Sequence, residues 1–478
     1  MDGTDMLWIR AVGALLAATF VGGDGARAQT LTDALVNAYI TNPSLMAERA
    51  ALHAVDEGVP QALSGWRPTV NLRARLNHEY TDSVTDFTFS AGEQTINSKS
   101  IVLELSQPVY RGGRTVNATE SAEEKVYAAR AHVMDVEQKI LLAAVTSHFD
   151  VVRAQEVTNL STSNEQVLSR QLQAARDRFE VGELTRTDVS QAEARLADAT
   201  ASRVASEGDL SISRASYQAV VGMAPTKLEF PTRESMPNLF DSDTGQRLAM
   251  RRNPRILAAL HYEKAALYDI SAAAGVLLPE VTLDSSLSRA ANPTTFTDEQ
   301  DTFQIGLTGR LPLYQSGSEY AEVRELRMIA TQRRRELSAV RRGVEENFLR
   351  TWEELLTARA RMVSFEASVT ANEIALDGVN QEAEVGARTI LDVLDAEQEL
   401  FEAKVNLVRV RRDEAVATFK LLSIAGSMTA AELSLPVEIY DPGQHYQRVK
   451  EKWFGFEEES KRGSLLNMDF LDVLNFTD

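Results

Sequence analysis

The 478-residue chain has no cysteine. Disulfides, thiolate metal sites, a cysteine nucleophile and a lipid carried on a terminal cysteine are excluded together. Basic charge is in deficit: 50 Lys and Arg face 69 Asp and Glu, for a net charge of −19. Nucleic acid is therefore not an expected partner, because phosphate binding needs a basic footprint. The local basic runs RRREL at 333–337 and RVRR at 409–412 are interleaved with acids at helical spacing and read as solvated helix faces. No segment after the N-terminal one reaches eighteen consecutive apolar residues, so no transmembrane helix is expected. A barrel remains open, since alternating strands hardly raise mean hydropathy. The chain also lacks HExxH, P-loop and G-x-S-x-G motifs, and its histidines (His53, His78, His132, His148, His261, His445) are scattered. No enzyme, metal or cofactor is expected.

Helix breakers are missing too. From Thr115 to Val181 there is neither proline nor glycine, and Val126, Ala129, Val133, Val136, Ile140 and Ala143 recur at three–four spacing. A helix of that length runs about 100 Å at 1.5 Å per residue. It buries too little surface alone and needs neighbours.

What the chain does contain is a duplication. VGELTRTDVSQAEARLADA at 181–199 and VGARTILDVLDAEQELFEA at 385–403 share nine of nineteen positions, 204 residues apart. SQPVYRGGR at 106–114 matches GRLPLYQSGS at 309–318, so Pro108, Tyr110 and Gly113 face Pro312, Tyr314 and Gly317 at the same offset. Upstream, Asn42-Pro43 matches Asn253-Pro254 at an offset of 211, which puts seven extra residues between Pro68 and Pro108. The expected organisation is a signal peptide at 1–28, a first repeat at 29–230, a second at 240–430, an extension at 431–455 and a loose tail at 456–478. The signal reading rests on Arg10, the apolar Ala11–Val21 stretch and the small residues Ala26-Arg27-Ala28.

Each repeated phrase stands where a long helix ends. Gly182 and Gly386 suit the left-handed backbone of a C′ position, and the polar residues that follow can cap a new helix. The phrases at 181–190 and 385–395 are thus hairpin tips between antiparallel helices. Between the long helices the period changes to two. Strands are expected at 68–80, 98–110, 279–290 and 301–314, each near the length that crosses an outer membrane obliquely. Pro108, Tyr110, Gly113, Pro312, Tyr314 and Gly317 mark the junctions from strand to helix. Four strands cannot close a barrel within one chain, so copies must complete it.

In combination, the two VG phrases, the NP and RP positions, the PVY and PLY strand ends and the duplication resemble the TolC-type outer-membrane channel family. The resemblance covers roughly 30–455 and implies a homotrimer, mixed α and β, in which three chains give four strands each to one twelve-stranded barrel in outer-membrane lipid. Long helices would continue it as a periplasmic α-barrel tunnel, docking on a periplasmic adaptor (membrane fusion) protein and an inner-membrane ABC or RND transporter. The implied function is a passive exit duct for type I secretion or multidrug efflux. By the same resemblance, Asp392 and Asp395 narrow the periplasmic entrance, and Arg388 latches toward Thr187 and Asp188. Ala383 stands where the family often places a latch aromatic. Asp392 and Asp395 are three apart, so both carboxylates can share one helix side and form charged rings on a threefold axis. Helix capping is the competing role for these aspartates, above all for Asp188. A pore-less periplasmic coiled coil or adaptor is the alternative to the duct; it has no need of the paired strands.

Overall fold

The computed structural model describes residues 29–83, 92–231, 237 and 239–455. The signal and tail segments expected at 1–28 and 456–478 lie outside the described residues, as do 84–91 in the first loop. Helices and strands alternate as the duplication requires. The first repeat holds α1 (Leu31–Thr41), α2 (Pro43–Asp56), α3 (Gly58–Leu63), β1 (Thr69–Ser83), β2 (Gly92–Arg111), α4 (Arg114–Glu180) and α5 (Arg186–Val221). The second holds α6 (Ser242–Arg252), α7 (Pro254–Ala274), β3 (Glu280–Thr294), β4 (Thr297–Arg310), α8 (Ser318–Glu384) and α9 (Ile390–Ile424), followed by a short α10 (Gln444–Val449).

The long helices α4 and α8 are each 67 residues. Gly343 and Gly378 do not interrupt α8. They lie on open faces where even an added Cβ meets nothing within 4 Å, so the ladder carries through at the cost of propensity alone. The repeated Asn-Pro pairs explain how each copy folds back. Asn42 ends α1, Pro43 opens α2, and the Asn42 amide donates to the Val220 carbonyl at 3.1 Å near the end of α5. Asn253 repeats this on Ile424 at 2.9 Å. Each asparagine also accepts from the backbone N–H two residues on, at 3.0 Å, so one side chain fixes a helix junction and satisfies a helix-end carbonyl.

The chain forms two compact units. Of the described residues, the first contains 29–50, 127–231, 237, 239–263 and 331–440, and the second 51–83, 92–126, 264–330 and 441–455. In the first unit, the main apolar cluster gathers Leu35, Leu141, Phe149, Tyr217 and Phe419 with Met428 of the C-terminal extension. Two further clusters centre on Phe348 and Leu355 and on Leu172 and Leu394. The extension expected at 431–455 divides between the units. Ala430 donates its N–H to Glu137 and Tyr440 its N–H to the Tyr39 hydroxyl in the first, while residues from Asp441 belong to the second.

The second unit carries one antiparallel sheet in the order β1-β2-β3-β4. The first hairpin is longer than expected, pairing out to Ser83 and Gly92. The second closes tightly between Thr294 and Thr297, within the gap left between the strands expected at 279–290 and 301–314. The strand expected at 301–314 ends at Arg310 instead. Pro312 has no N–H for a ladder, so Pro312 and Tyr314 leave the sheet edge. Pro108 and Tyr110 remain within β2, where the pairing with β3 shifts by one residue between them.

Candidate functional site

Two places carry chemistry beyond folding: the sheet in the second unit and the two hairpin tips in the first. In the sheet, register decides which side chains share a face. Leu72, Leu103, Leu287 and Phe303 are paired in one row across all four strands. The next row on that face is Val70, Leu105, Ser285 and Ile305. The rows between them hold Asn71, Glu104, Ser286 and Gln304 on the opposite face. One face is thus an apolar band and the other is polar, as a membrane strand with a wet interior requires. The bulge in β2 extends the band. Skipping Val109 pairs Tyr110 with Val281, which turns Tyr110 onto the apolar face where strict alternation from Gln107 and Pro108 would have turned it inward. Among the described residues neither β1 nor β4 has an outer partner, so both edges of a four-stranded sheet stand open.

The tips are built alike. Gly182 and Gly386 both have φ +79, a left-handed backbone that any side chain would strain. Three residues later a capping box closes each new helix. The Asp188 N–H donates to the Thr185 hydroxyl while the Thr185 N–H donates back to the Asp188 carboxylate at 2.9 Å. Thr389 and Asp392 repeat the arrangement at 2.9 Å. These bonds hold both carboxyls below the usual aspartate range, through the Thr185 hydroxyl first for Asp188 and the Thr389 N–H first for Asp392. Both Thr389 bonds land on Oδ2 of Asp392, and Oδ1 takes part in neither.

Arg388 does not meet Thr187 or Asp188 within the chain. It reaches back across its own tip to Glu382 at 2.8 Å, because the turn places the end of α8 nearer than the other hairpin. The contact between the hairpins comes from a residue outside the repeated phrase's shared positions: Arg195 of α5 binds Asp395 of α9 at 2.6 Å. Beneath that pair, Leu394 is buried among Leu172, Ala175, Ala192 and Ala199. Arg195 lies three residues after Ala192 and four before Ala199, so helical spacing put it on the contact face. Heptad reading of the second phrase against the first could have found it. Val181 and Val385, just before the tip glycines, are 72% and 80% exposed.

The sequence profile of the family described as outer membrane efflux protein matches residues 34–223 and 246–427, most of both repeats. The chain belongs to that family. The outer membrane efflux protein BepC of Brucella suis biovar 1 (strain 1330) is 35% identical to it over 449 residues, covering 93% of this chain and 96% of the relative. The outer membrane protein TolC of Vibrio cholerae (El Tor Inaba N16961) is 26% identical over 414 residues, covering 85% and 92%. Among solved structures, the Campylobacter jejuni CmeC outer membrane channel superposes with a TM-score of 0.76 at 15% identity, covering 88% of this chain and 89% of that one. That likeness carries the fold: a helical tunnel with membrane strands. Membership of the outer membrane efflux proteins, a family of channels, places the chain in the outer membrane of a Gram-negative cell.

Proposed function

We propose that three copies of this chain form a passive outer-membrane exit duct, gated at its periplasmic end, in a type I secretion or multidrug efflux assembly. The observation that carries the reading is the open four-stranded sheet with one apolar face. Two unpaired edges in lipid are untenable, since every backbone group there needs a partner. Copies of the same sheet satisfy both edges at once and close a twelve-stranded barrel. Residues 1–28 direct export and are removed. The paired tips form the entrance, with Asp392 and Asp395 facing the pore, the Arg195–Asp395 pair joining the hairpins and Arg388–Glu382 bracing its own tip. The exposed Val181 and Val385 suit contact with a periplasmic adaptor, which links the duct to the ABC or RND transporter that supplies energy.

Single-channel conductance of the purified protein in planar bilayers tests this, comparing wild type with Asp392→Ala/Asp395→Ala. A small cation-selective conductance is expected, with selectivity lost in the variant. An unchanged selectivity would assign these aspartates to capping alone. Folded trimers without conductance would leave the pore-less coiled coil as the better account.

A further inference from the structure

The C-terminal segment of the second unit is fastened along its length and ends in two exposed aromatics. His445 of α10 binds Asp56 at the end of α2 at 2.9 Å, and both are buried. The His53 ring stacks on His445 with centroids 4.1 Å apart. One turn on, the Tyr446 hydroxyl and the Lys450 ammonium converge on Glu123 of α4 at 3.0 and 2.9 Å. A buried hydrogen bond between these two side chains ties the segment to α2 in one register. What it fixes here is the placement of Trp453. That ring sits over the Arg67 guanidinium at 5.2 Å, directly before the strand that begins at Thr69. Trp453 nevertheless stays 61% exposed and Phe454 89% exposed.

We infer that Trp453 and Phe454 form an aromatic anchor in the glycerophospholipid leaflet that borders the periplasmic ends of the strands. The inference rests on the outer-membrane reading of the sheet. Arg67 precedes Val70, the first apolar-face side chain of β1, by three residues, about 10 Å of extended chain. The aromatic pair is therefore next to the lower border of the apolar band. On that border Tyr110 is already turned to the apolar face by the bulge, and Tyr314 is 78% exposed beyond β4. Aromatic rings concentrate at such borders, where one edge meets acyl chains and the other meets headgroups. Arg67 under the indole gives one cation that a lipid phosphate can meet, while the neighbouring Glu451 is an exposed acid, so the rings and not net charge carry the contact. A strap already held by Asp56 and Glu123 loses little freedom on inserting, so the two rings need to offset only their own ordering.

Trp453 can be observed alone. Trp8→Phe, Trp66→Phe and Trp352→Phe leave it as the only tryptophan in the chain. Full-length trimers of this variant in phosphatidylethanolamine/phosphatidylglycerol vesicles should show blue-shifted emission, quenched more by bromine near the headgroup end of the acyl chain than at its tail. That depth matches an interfacial helix or ring about 5–10 Å below the headgroup boundary. Quenching by aqueous iodide but not by brominated lipid overturns the anchor. So does shielding from both quenchers, which would mean that the tail or another protein surface covers the pair. Channel conductance of the same vesicles separates this inference from the duct: conducting trimers without lipid quenching lose the anchor and keep the duct. Lipid quenching in vesicles that do not conduct supports the membrane contact and counts against the duct. Phe454→Ala should weaken lipid quenching of Trp453 while conductance is retained; unchanged quenching removes Phe454 from the anchor.

Discussion

Arg195 and Asp395 meet on helix faces that water still reaches, with side chains 37% and 52% exposed. Their contact is short, but screening keeps such a pair weak. It still decides the electrostatics of Asp395, because a guanidinium at 2.6 Å cancels most of the field that the carboxylate would send toward a pore. Arg195→Ala should therefore raise cation selectivity and lengthen openings in single-channel records, the opposite sign from Asp395→Ala on selectivity. Wild-type behaviour in Arg195→Ala would remove this pair from the gate. His148 is a different kind of residue. It is buried beside Tyr217 in the main cluster, and burial lowers its pKa from 6.5 to about 4 against the opposing effect of a backbone hydrogen bond at Glu229. The unfolded chain takes up a proton there at a pH where the folded chain refuses it. Stability is thus full above about pH 6.5 and falls as pH drops toward 4, by on the order of 3 kcal/mol. Denaturant unfolding followed by helix dichroism at pH 7 and pH 4.5 checks this: the difference should shrink in His148→Leu, and an equal difference in that variant would assign the acid sensitivity elsewhere.

At the scale of elements, the hairpin tips stand on very few apolar contacts. Leu394, 1% exposed, is the buried side chain of α9 in the cluster of α4 and α5 residues, with Ile390 packed against it. Leu394→Ala should cost about 2–5 kcal/mol locally and release the tips to the solvent, because local opening needs only the nearest contacts to break. Trypsin cleavage after Arg186 and Arg388 should quicken in Leu394→Ala and stay near wild type in Leu391→Ala, whose side chain is already 38% exposed. Much at this scale could be read in the chain itself. The lack of breakers from Thr115 to Val181 led to a helix from Arg114 to Glu180, and the shared glycines and threonines of the two phrases led to turns and caps. Charge partners were less legible. Asp188 and Asp392 both cap, a role expected above all for Asp188 while Asp392 was expected at the entrance; Arg388 turned to Glu382 and Asp395 found Arg195. Such pairings depend on how two hairpins rotate against each other, and spacing within one hairpin does not contain that rotation. Strand ends were blurred for a similar reason: Pro312 and the bulge at Val109 reset pairing locally, and both depend on which neighbour the strand meets.

For the whole molecule, the sheet gives the sharpest contrast, since adjacent residues of β4 face opposite surroundings. Phe303 belongs to the apolar row and Gln304 to the polar one. Phe303→Lys puts a charge into lipid at a cost of about 2–4 kcal/mol per chain near the bilayer midplane, whereas Gln304→Lys only adds a charge to a wet interior. Heat-modifiable trimers in the outer-membrane fraction should be depleted by the first and preserved by the second; equal tolerance would argue that this face does not meet lipid. The proposed threefold closure changes what the Arg195–Asp395 contact is worth. A solvent-accessible pair contributes about 0.5 kcal/mol, which is negligible for one chain. Counted three times in the proposed duct it is about 1.5 kcal/mol, roughly a tenfold change in the ratio of shut to open entrances. The proposed entrance, poised on so small a sum, would answer to ionic strength and to any partner with a slight preference for the open form. It would also rest in the outer membrane, shut but ready, without a strong lock that docking would have to break.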